Sequence, residues 1–330
     1  MTNVGSTLYP LRFEPIFHYR LWGGRKLEQI QAAPLPGSGP IGEAWILSDR
    51  LDNPSLVAAG PLQGKTIGEL IKADPLGMLG RYAGQYRHFP LLLKYLDAQE
   101  MLSVQVHPTD EQPELLPPGE MGKTEAWIVL QSETESKIYA GLEPGTSADE
   151  LRHLNRASAE AHLAGFNPQS GDGLFIPAGT VHALGGGVVV FEVQENSDVT
   201  FRLYDWDRVD QQTGQARELH IENAIRSTDF SVGPVLPVTP IVESEANPRR
   251  ERMFDCTHFK LWRVSGSAPF TVGVSDEPRA VVCAKGAGEF KTPDGAAFAR
   301  TGDVYLLPAA LGEVTFAPQG PAELFEIALP

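Results

Sequence analysis

Gln105 and His107 stand two apart in the segment Leu102-Ser103-Val104-Gln105-Val106-His107-Pro108. On a β-strand that spacing sends both side chains from one face of a sheet. Glu125 follows in Gly122-Lys123-Thr124-Glu125-Ala126-Trp127, and His182 closes Ile176-Pro177-Ala178-Gly179-Thr180-Val181-His182. Two imidazoles, a carboxylate and an amide oxygen make a donor set for a divalent metal that uses no sulfur. A lone histidine or glutamate is more often a packed or solvated side chain, so context has to decide. Glu125 leads into the apolar run Ala126 to Leu130, where a buried carboxylate needs a cation. His182 precedes Ala183-Leu184 and the triplet Gly185 to Gly187, which permits close backbone approach. Gln105 is chemically the weakest donor, and its other role is a hydrogen bond that orients a true ligand. A metal-dependent enzyme is the leading expectation.

A second polar cluster runs from Phe191 to Arg202. Strand alternation puts Glu192 and Gln194 on one face, and Thr200 and Arg202 on one face. These side chains join the site if His182 points into a barrel. The competing reading is an antiparallel hairpin with a polar outer side. His18, His88, His153, His162, His220 and His258 have no such company and read as structural or exposed.

The elements that position these residues are mainly strands. Leu11-Arg12-Phe13, Ile16-Phe17-His18, Glu43 to Leu47, Phe89 to Leu96, Gly187 to Val193 and Val199 to Leu203 all read so, and Phe89 to Leu96 is apolar enough for an inner strand. The 33 Gly and 27 Pro suit short strands joined by tight turns. Short helical segments fall at about 62–88, opened by a capping box of Thr66 and Glu69, and at about 147–165, where Leu151, Leu154 and Leu163 can share a face from Ser147 onward. A weaker one lies near Ile221 to Ile225. The Pro-rich stretch Val232 to Pro248 marks a boundary between units at 1–235 and 236–330. Gly171-Asp172-Gly173-Leu174-Phe175-Ile176-Pro177-Ala178 is echoed by Gly302-Asp303-Val304-Tyr305-Leu306-Leu307-Pro308-Ala309, with Glu313 in the slot of His182. The echo suggests two related barrels, one with the metal site and one that has lost it.

The net charge of −15 over 330 residues, with no long basic run, argues against nucleic acid as a partner. No stretch reaches the ~18 apolar residues of a membrane helix, and Met1 to Ser6 lacks the start of a secretion signal. Two cysteines, Cys256 and Cys283, suit free thiols in a reducing cytoplasm, although one bridge between them is compatible with the sequence.

Taken together, these motifs resemble type I mannose-6-phosphate isomerases, zinc enzymes of the cupin superfamily, in their short bacterial form. The resemblance rests on Tyr19 to Gly23, Gly42 to Trp45, Phe89 to Lys94, Leu102 to Pro108, Gly122 to Glu125, Pro177 to His182 and Glu192 to Arg202, in family order over the first two thirds of the chain. It implies a mainly β fold of two cupin-type jelly-roll barrels with a few short helices, and one zinc ion per chain on Gln105, His107, Glu125 and His182. It further implies that Arg202 is the essential active-site arginine and Glu192 a pocket carboxylate, with Lys123 also catalytic and substrate contacts from Ser103, Lys94 and Trp22. Glu192 is the candidate general base, with a metal-bound water or Lys94 as the alternatives. Ser103 and Lys123 correspond to positions near the substrate phosphate. The large helical insertion of longer members is absent, and the C-terminal third carries only a weak likeness. The expected partner is a sugar phosphate, turned over by a monomer or homodimer. Two other readings remain open: a metal-dependent oxidoreductase of the same superfamily, and a sugar-phosphate-binding protein without chemistry.

Overall fold

The computed structural model describes residues 8–31, 33–293 and 295–330. Met1 to Ser6, expected to carry no secretion signal, lie outside them. A six-stranded sheet runs in the order Ile16–Gly24, Ile41–Leu47, Leu91–Ala98, Val188–Glu195, Glu125–Ser132, Gly173–Ile176. It faces a five-stranded sheet ordered Phe201–Tyr204, Val104–Val106, His182–Leu184, Ile138–Leu142, Leu163–Phe166. A seven-stranded sheet then runs Ile241–Ser244, Arg249–Asp255, Lys260–Gly266, Ala322–Ala328, Arg279–Lys285, Val304–Leu307, Leu11–Arg12. Its companion is four-stranded: Phe270–Val272, Val314–Pro318, Ala287–Thr292, Gly295–Arg300. The fold is mainly β, as the strand-rich sequence requires. The segment expected as a second unit supplies most of the seven-stranded sheet, but its edge strand Leu11–Arg12 comes from the other end of the chain.

Strand alternation explains how the sheets stack. Val189, Phe191 and Val193 leave one face of their strand and pack with Phe325, Ile327, Ala280 and Val282 of the seven-stranded sheet. The rings of Phe191 and Phe325 lie 5.6 Å apart, and Tyr95 sits edge-on to Phe191. One apolar core therefore joins the two halves of the chain. The opposite face of the same strand sends Glu192 and Gln194 inward, both buried.

The two halves repeat one strand order. The echoed Gly-Asp turns are the same structure twice: Gly171 and Gly302 have φ of 96° and 92°, and Asp172 and Asp303 accept backbone N–H bonds from Gln169 (2.8 Å) and Arg300 (3.0 Å). This alignment matches Leu174 with Tyr305 and Ile176 with Leu307. Carried across the ladders, it puts Arg279 where Glu125 stands and Glu326 where Glu192 stands. The first barrel thus holds a carboxylate able to ligate a cation where the second holds a guanidinium. In the second barrel, Glu326 is 1% exposed and pairs with Arg250 (2.6 Å) and Arg279 (3.5 Å). The strand that carries Arg202 has no counterpart there.

The helices follow their caps. Thr66 and Glu69 form the expected capping box on Ile67–Ala73. The single helical stretch expected from Ser147 to Leu163 is two helices, Ala148–Arg152 and Arg156–His162, and Leu163 already belongs to a strand. Asn155 causes the break: in extended backbone conformation, it caps Ala157 and Ser158 and starts a new helix. Leucine spacing cannot separate one helix from two that cover the same surface. Among the described residues no helix is long and apolar enough to cross a membrane, and Cys256 and Cys283 are free thiols.

Glu326→Gln should take one carboxylate from Arg250 and Arg279, which keep Glu243 and Glu277, and lower unfolding stability by about 2 kcal/mol, read by urea denaturation. Metal content and turnover should stay near wild type. Unchanged stability would show that the pair is not a structural replacement for the metal centre.

Candidate metal centre and its cleft

Strand register assembles the site from both sheets of the first barrel. His182 pairs directly with Gln105, and Arg202 pairs with Gln105 from the other side. His107 follows the short Gln105 strand by one residue. On the facing sheet, Glu192 lies between Lys94 and Trp127 in neighbouring strands, and Glu125 is opposite Gln194. Two loops lock the arrangement. Gly179, at φ 89°, donates its N–H to the carbonyl of His107 at 2.8 Å, joining the segments that carry the two histidines. Gly185 packs so tightly that a Cβ would meet the Lys137 carbonyl oxygen at 1.7 Å, so the glycine triplet beyond His182 is a steric requirement.

His107, Glu125 and His182 bring their ligand atoms within 4.8 Å of one another, and all three are buried. Nε2 of His107 and of His182 each lie 3.4 Å from a Glu125 oxygen. Nδ1 of His107 faces the Val199 carbonyl at 2.8 Å, and Nδ1 of His182 faces the Thr180 carbonyl at 2.9 Å. A carbonyl only accepts, so each Nδ1 carries the proton and each Nε2 offers its lone pair to the centre. Burial, then the Lys123 ammonium, pushes the His107 imidazolium down to about 3, and burial lowers His182 as well. Both rings are neutral ligands. Burial opposes charge on Glu125, but the Lys123 ammonium beside it outweighs that cost and holds the carboxyl well below its usual range. Neither Glu125 oxygen accepts a hydrogen bond; Oε2 has the Lys123 ammonium beside it at 2.9 Å. Two oriented imidazoles and an ionised carboxylate without a hydrogen bond fit a divalent cation.

A cleft of about 350 Å³ lies beside this centre. His107, Glu125 and His182 are buried behind its wall, and Gln105 and Lys123, which contact them, line it. Glu192 forms part of its floor. Trp127 Nε1–H donates to Glu192 Oε2 at 2.8 Å, whereas Oε1 is buried without a hydrogen-bond partner, with Lys94 Nζ at 3.5 Å. Burial, reinforced by the nearby Glu125 charge, raises the Glu192 carboxyl above its usual range. Lys94 lies over the Trp45 ring and also within 3.6 Å of Asp198. Arg20 grips Glu43 with two hydrogen bonds, at 2.8 and 3.1 Å.

The structure brings Gln105, Lys94, Trp22, Lys123, Glu192 and Arg202 to the cleft wall. Glu192 and Arg202 come from strands in different sheets, so the hairpin reading of Phe191 to Arg202 is set aside. Ser103 is not on the wall: it is 1% exposed and its Oγ donates to Gln105 Oε1 at 3.1 Å. Sequence reasoning missed Asp198, Asp210 and Arg217, which also line the cleft. It quoted Arg20 and Glu43 inside motifs without seeing that they pair. Only the surrounding motif could have flagged that pair, and nothing local marks Asp210 or Arg217.

Comparison with known proteins bears on the same site. Residues 11–140 match the family described as phosphomannose isomerase type I, catalytic domain, a span that includes Gln105, His107 and Glu125. The chain is 34% identical over 329 residues to the mannose-6-phosphate isomerase ManA of Bacillus subtilis (strain 168), covering 96% of this chain and 98% of that protein. It is 36% identical over 261 residues to the mannose-6-phosphate isomerase of Streptococcus mutans serotype c, covering 78% of this chain and 80% of that one. The crystal structure of the mannose 6-phosphate isomerase from Bacillus subtilis superposes with a TM-score of 0.87 at 29% identity, over 96% of this chain and 99% of that one. The likeness runs through the C-terminal third, which the motifs alone had left weak. The chain belongs to the type I phosphomannose isomerase family.

Ser103 is hydrogen-bonded to Gln105, so its expected effect is on how Gln105 is oriented beside the His107–Glu125–His182 cluster. Ser103→Ala should weaken metal retention roughly 10–100-fold in a chelator competition while leaving the KM for a sugar phosphate unchanged. A raised KM with unchanged metal affinity would return Ser103 to substrate binding.

Proposed function

We propose that this member of the type I phosphomannose isomerase family interconverts mannose 6-phosphate and fructose 6-phosphate, with one zinc ion per chain held by Gln105, His107, Glu125 and His182. The observation that carries the reading is the buried His107–Glu125–His182 cluster just behind Gln105 and Lys123 on the wall of a cleft that also presents Glu192, Lys94 and Arg202. Gln105 would serve as fourth ligand through its amide oxygen, since a carboxamide offers a cation its oxygen and not its NH₂. Its Nε2 faces His182 Nε2 at 3.2 Å and its Oε1 faces Ser103, so ligation takes the opposite amide orientation, with Ser103 Oγ then accepting from the NH₂. Bound there, zinc supplies a Lewis acid for the oxygens that gain charge when a proton leaves carbon.

The isomerisation removes the C2 proton of the aldose to leave an enediolate with charge on the C1 oxygen, passes the hydroxyl proton from the C2 oxygen to the C1 oxygen, and returns a proton to C1 as the C2 oxygen becomes the ketone. Glu192 carries the proton between C2 and C1. Trp127 fixes Oε2, so Oε1 is the atom that accepts at C2 and donates at C1. Its raised pKa brings it closer to the range in which a carboxylate works as a general base near neutrality. Lys94 beside Oε1 keeps the carboxylate ionised often enough to act. Arg202, whose buried Nε has no hydrogen-bond partner, offers a fixed positive charge to the oxygens of the enediolate. Lys123, charged despite burial because Glu125 and Glu192 outweigh the cost, adds positive charge at the metal end. Trp22 closes one wall against water. Free thiols suit a cytoplasmic setting. A monomer or homodimer suffices, because the whole site comes from one chain.

In a coupled assay, purified protein should convert mannose 6-phosphate to fructose 6-phosphate, lose that activity to a chelator and regain it with zinc. Iron-dependent oxygen uptake, or binding of the sugar phosphate without turnover, would replace this reading with one of the two alternatives. Glu192→Gln should lower kcat by at least ~100-fold with zinc content unchanged. Near-normal turnover would remove Glu192 from the proton transfer.

A further inference from the structure

The loop between the Phe201–Tyr204 strand and helix Ile221–Ser227 carries a charge cluster in which two arginines share one buried carboxylate. Asp205, 5% exposed, is its hub. It accepts two hydrogen bonds from Arg217, Nε–H to Oδ2 at 2.8 Å and Nη2–H to Oδ1 at 2.6 Å, and is also paired with Arg208. One carboxylate thus serves two guanidiniums. Arg202, a few residues away, adds a third. Its buried Nε has no hydrogen-bond partner, and its charge is opposed by burial, by Arg217 and by Arg20. Arg217 and Arg202 both line the cleft, whereas Arg208 turns away to the Met101 carbonyl. Of the five N–H donors of Arg217, Asp205 takes two, which leaves three for a ligand. Asp210, the nearby carboxylate on the cleft wall, is turned to the Tyr19 hydroxyl and the N–H groups of Gln212 and Thr213.

The other cleft cations are committed. Arg20 is bound to Glu43, Lys94 to Glu192 and Asp198, and Lys123 to Glu125. Arg202 and Arg217 therefore stand on the cleft wall with N–H donors that no other group takes up, and two guanidiniums with open donors suit an anion. We propose that Arg217, held in place by Asp205, binds the phosphate of the sugar substrate together with Arg202. The assignment rests on the isomerase reading for the identity of the substrate. It gives the phosphate grip to a residue outside the motifs, in place of Ser103, whose hydroxyl is spent on Gln105. A guanidinium already anchored by a carboxylate loses little freedom when it meets a phosphate, so it suits a planar two-point contact.

The test uses the zinc-loaded full chain, with Arg217→Ala and Arg217→Gln, the second keeping a donor beside Asp205 should alanine fail to fold. Zinc content is measured for each variant. The KM for mannose 6-phosphate should rise at least about 10-fold in either variant, the loss expected for a charge-assisted bond, with kcat changed far less. Inorganic phosphate, titrated as probe by calorimetry, should bind wild type and lose affinity by a similar factor in the variants. Unchanged KM and unchanged phosphate affinity, or a fall in kcat at constant KM, would overturn the proposal, as would no phosphate binding to wild type. If wild type proves inactive on mannose 6-phosphate, the functional reading fails, and the phosphate titration alone decides the role of Arg217.

Discussion

A carboxylate buried inside an apolar barrel is the constraint on which the rest of this structure depends. Glu125 has no exposed surface, and its strand neighbours Ala126, Trp127 and Ile128 are equally buried. An ionised group in that position is tolerable only with positive charge and oriented dipoles around it. Neutral imidazoles tethered through Nδ1 to backbone carbonyls, the Lys123 ammonium and a cation site together meet that demand. The short strand register that sets His182 beside Gln105 follows from the same need, because a slip of one residue would turn Gln105 out of the site.

The two barrels meet the demand in different ways. They share a strand order, a Gly-Asp turn and an apolar interface centred on Phe191 and Phe325. At equivalent ladder positions, however, the first holds Glu125 and Glu192, and the second holds Arg279 and Glu326. In the first barrel the carboxylates face two imidazoles and lysines from neighbouring segments, a donor set a metal can use; in the second, Arg279 and Arg250 pair with Glu326, and Arg279 also with Glu277. The second barrel also lacks any counterpart of the strand that bears Arg202. Its contribution to the site is indirect: its sheet covers the outer face of the strands that carry Glu125, Lys94 and Glu192, so only their inner faces meet the cleft.

Much of the site was legible because the chemistry is concentrated in short segments with strand periodicity. Gln105 and His107 announce themselves by a spacing of two, and Glu125 by the apolar run after it. Glu192 was readable as a pocket residue, but not its hydrogen bond from Trp127, because that partner lies 65 residues away in an adjacent strand. The motif gives Ser103 a place near the substrate, but not its hydrogen bond to Gln105 on the strand that follows it. The Ser147 stretch looked like one helix because leucine spacing records which surface is covered, while the break was set by one capping asparagine.

The sequence by itself determined the mainly β architecture, the ligand types, the internal repeat and the likeness to a sugar-phosphate isomerase. Each of these is written in local periodicity and residue chemistry. Only the tertiary structure decided which cations are spent on partners and which are free, that Leu11–Arg12 completes the sheet of the far half, and that Arg217 stands beside Arg202 in the cleft. Those facts depend on registers and loop paths between residues distant in the chain. Pairing across space leaves no periodic trace in a single sequence.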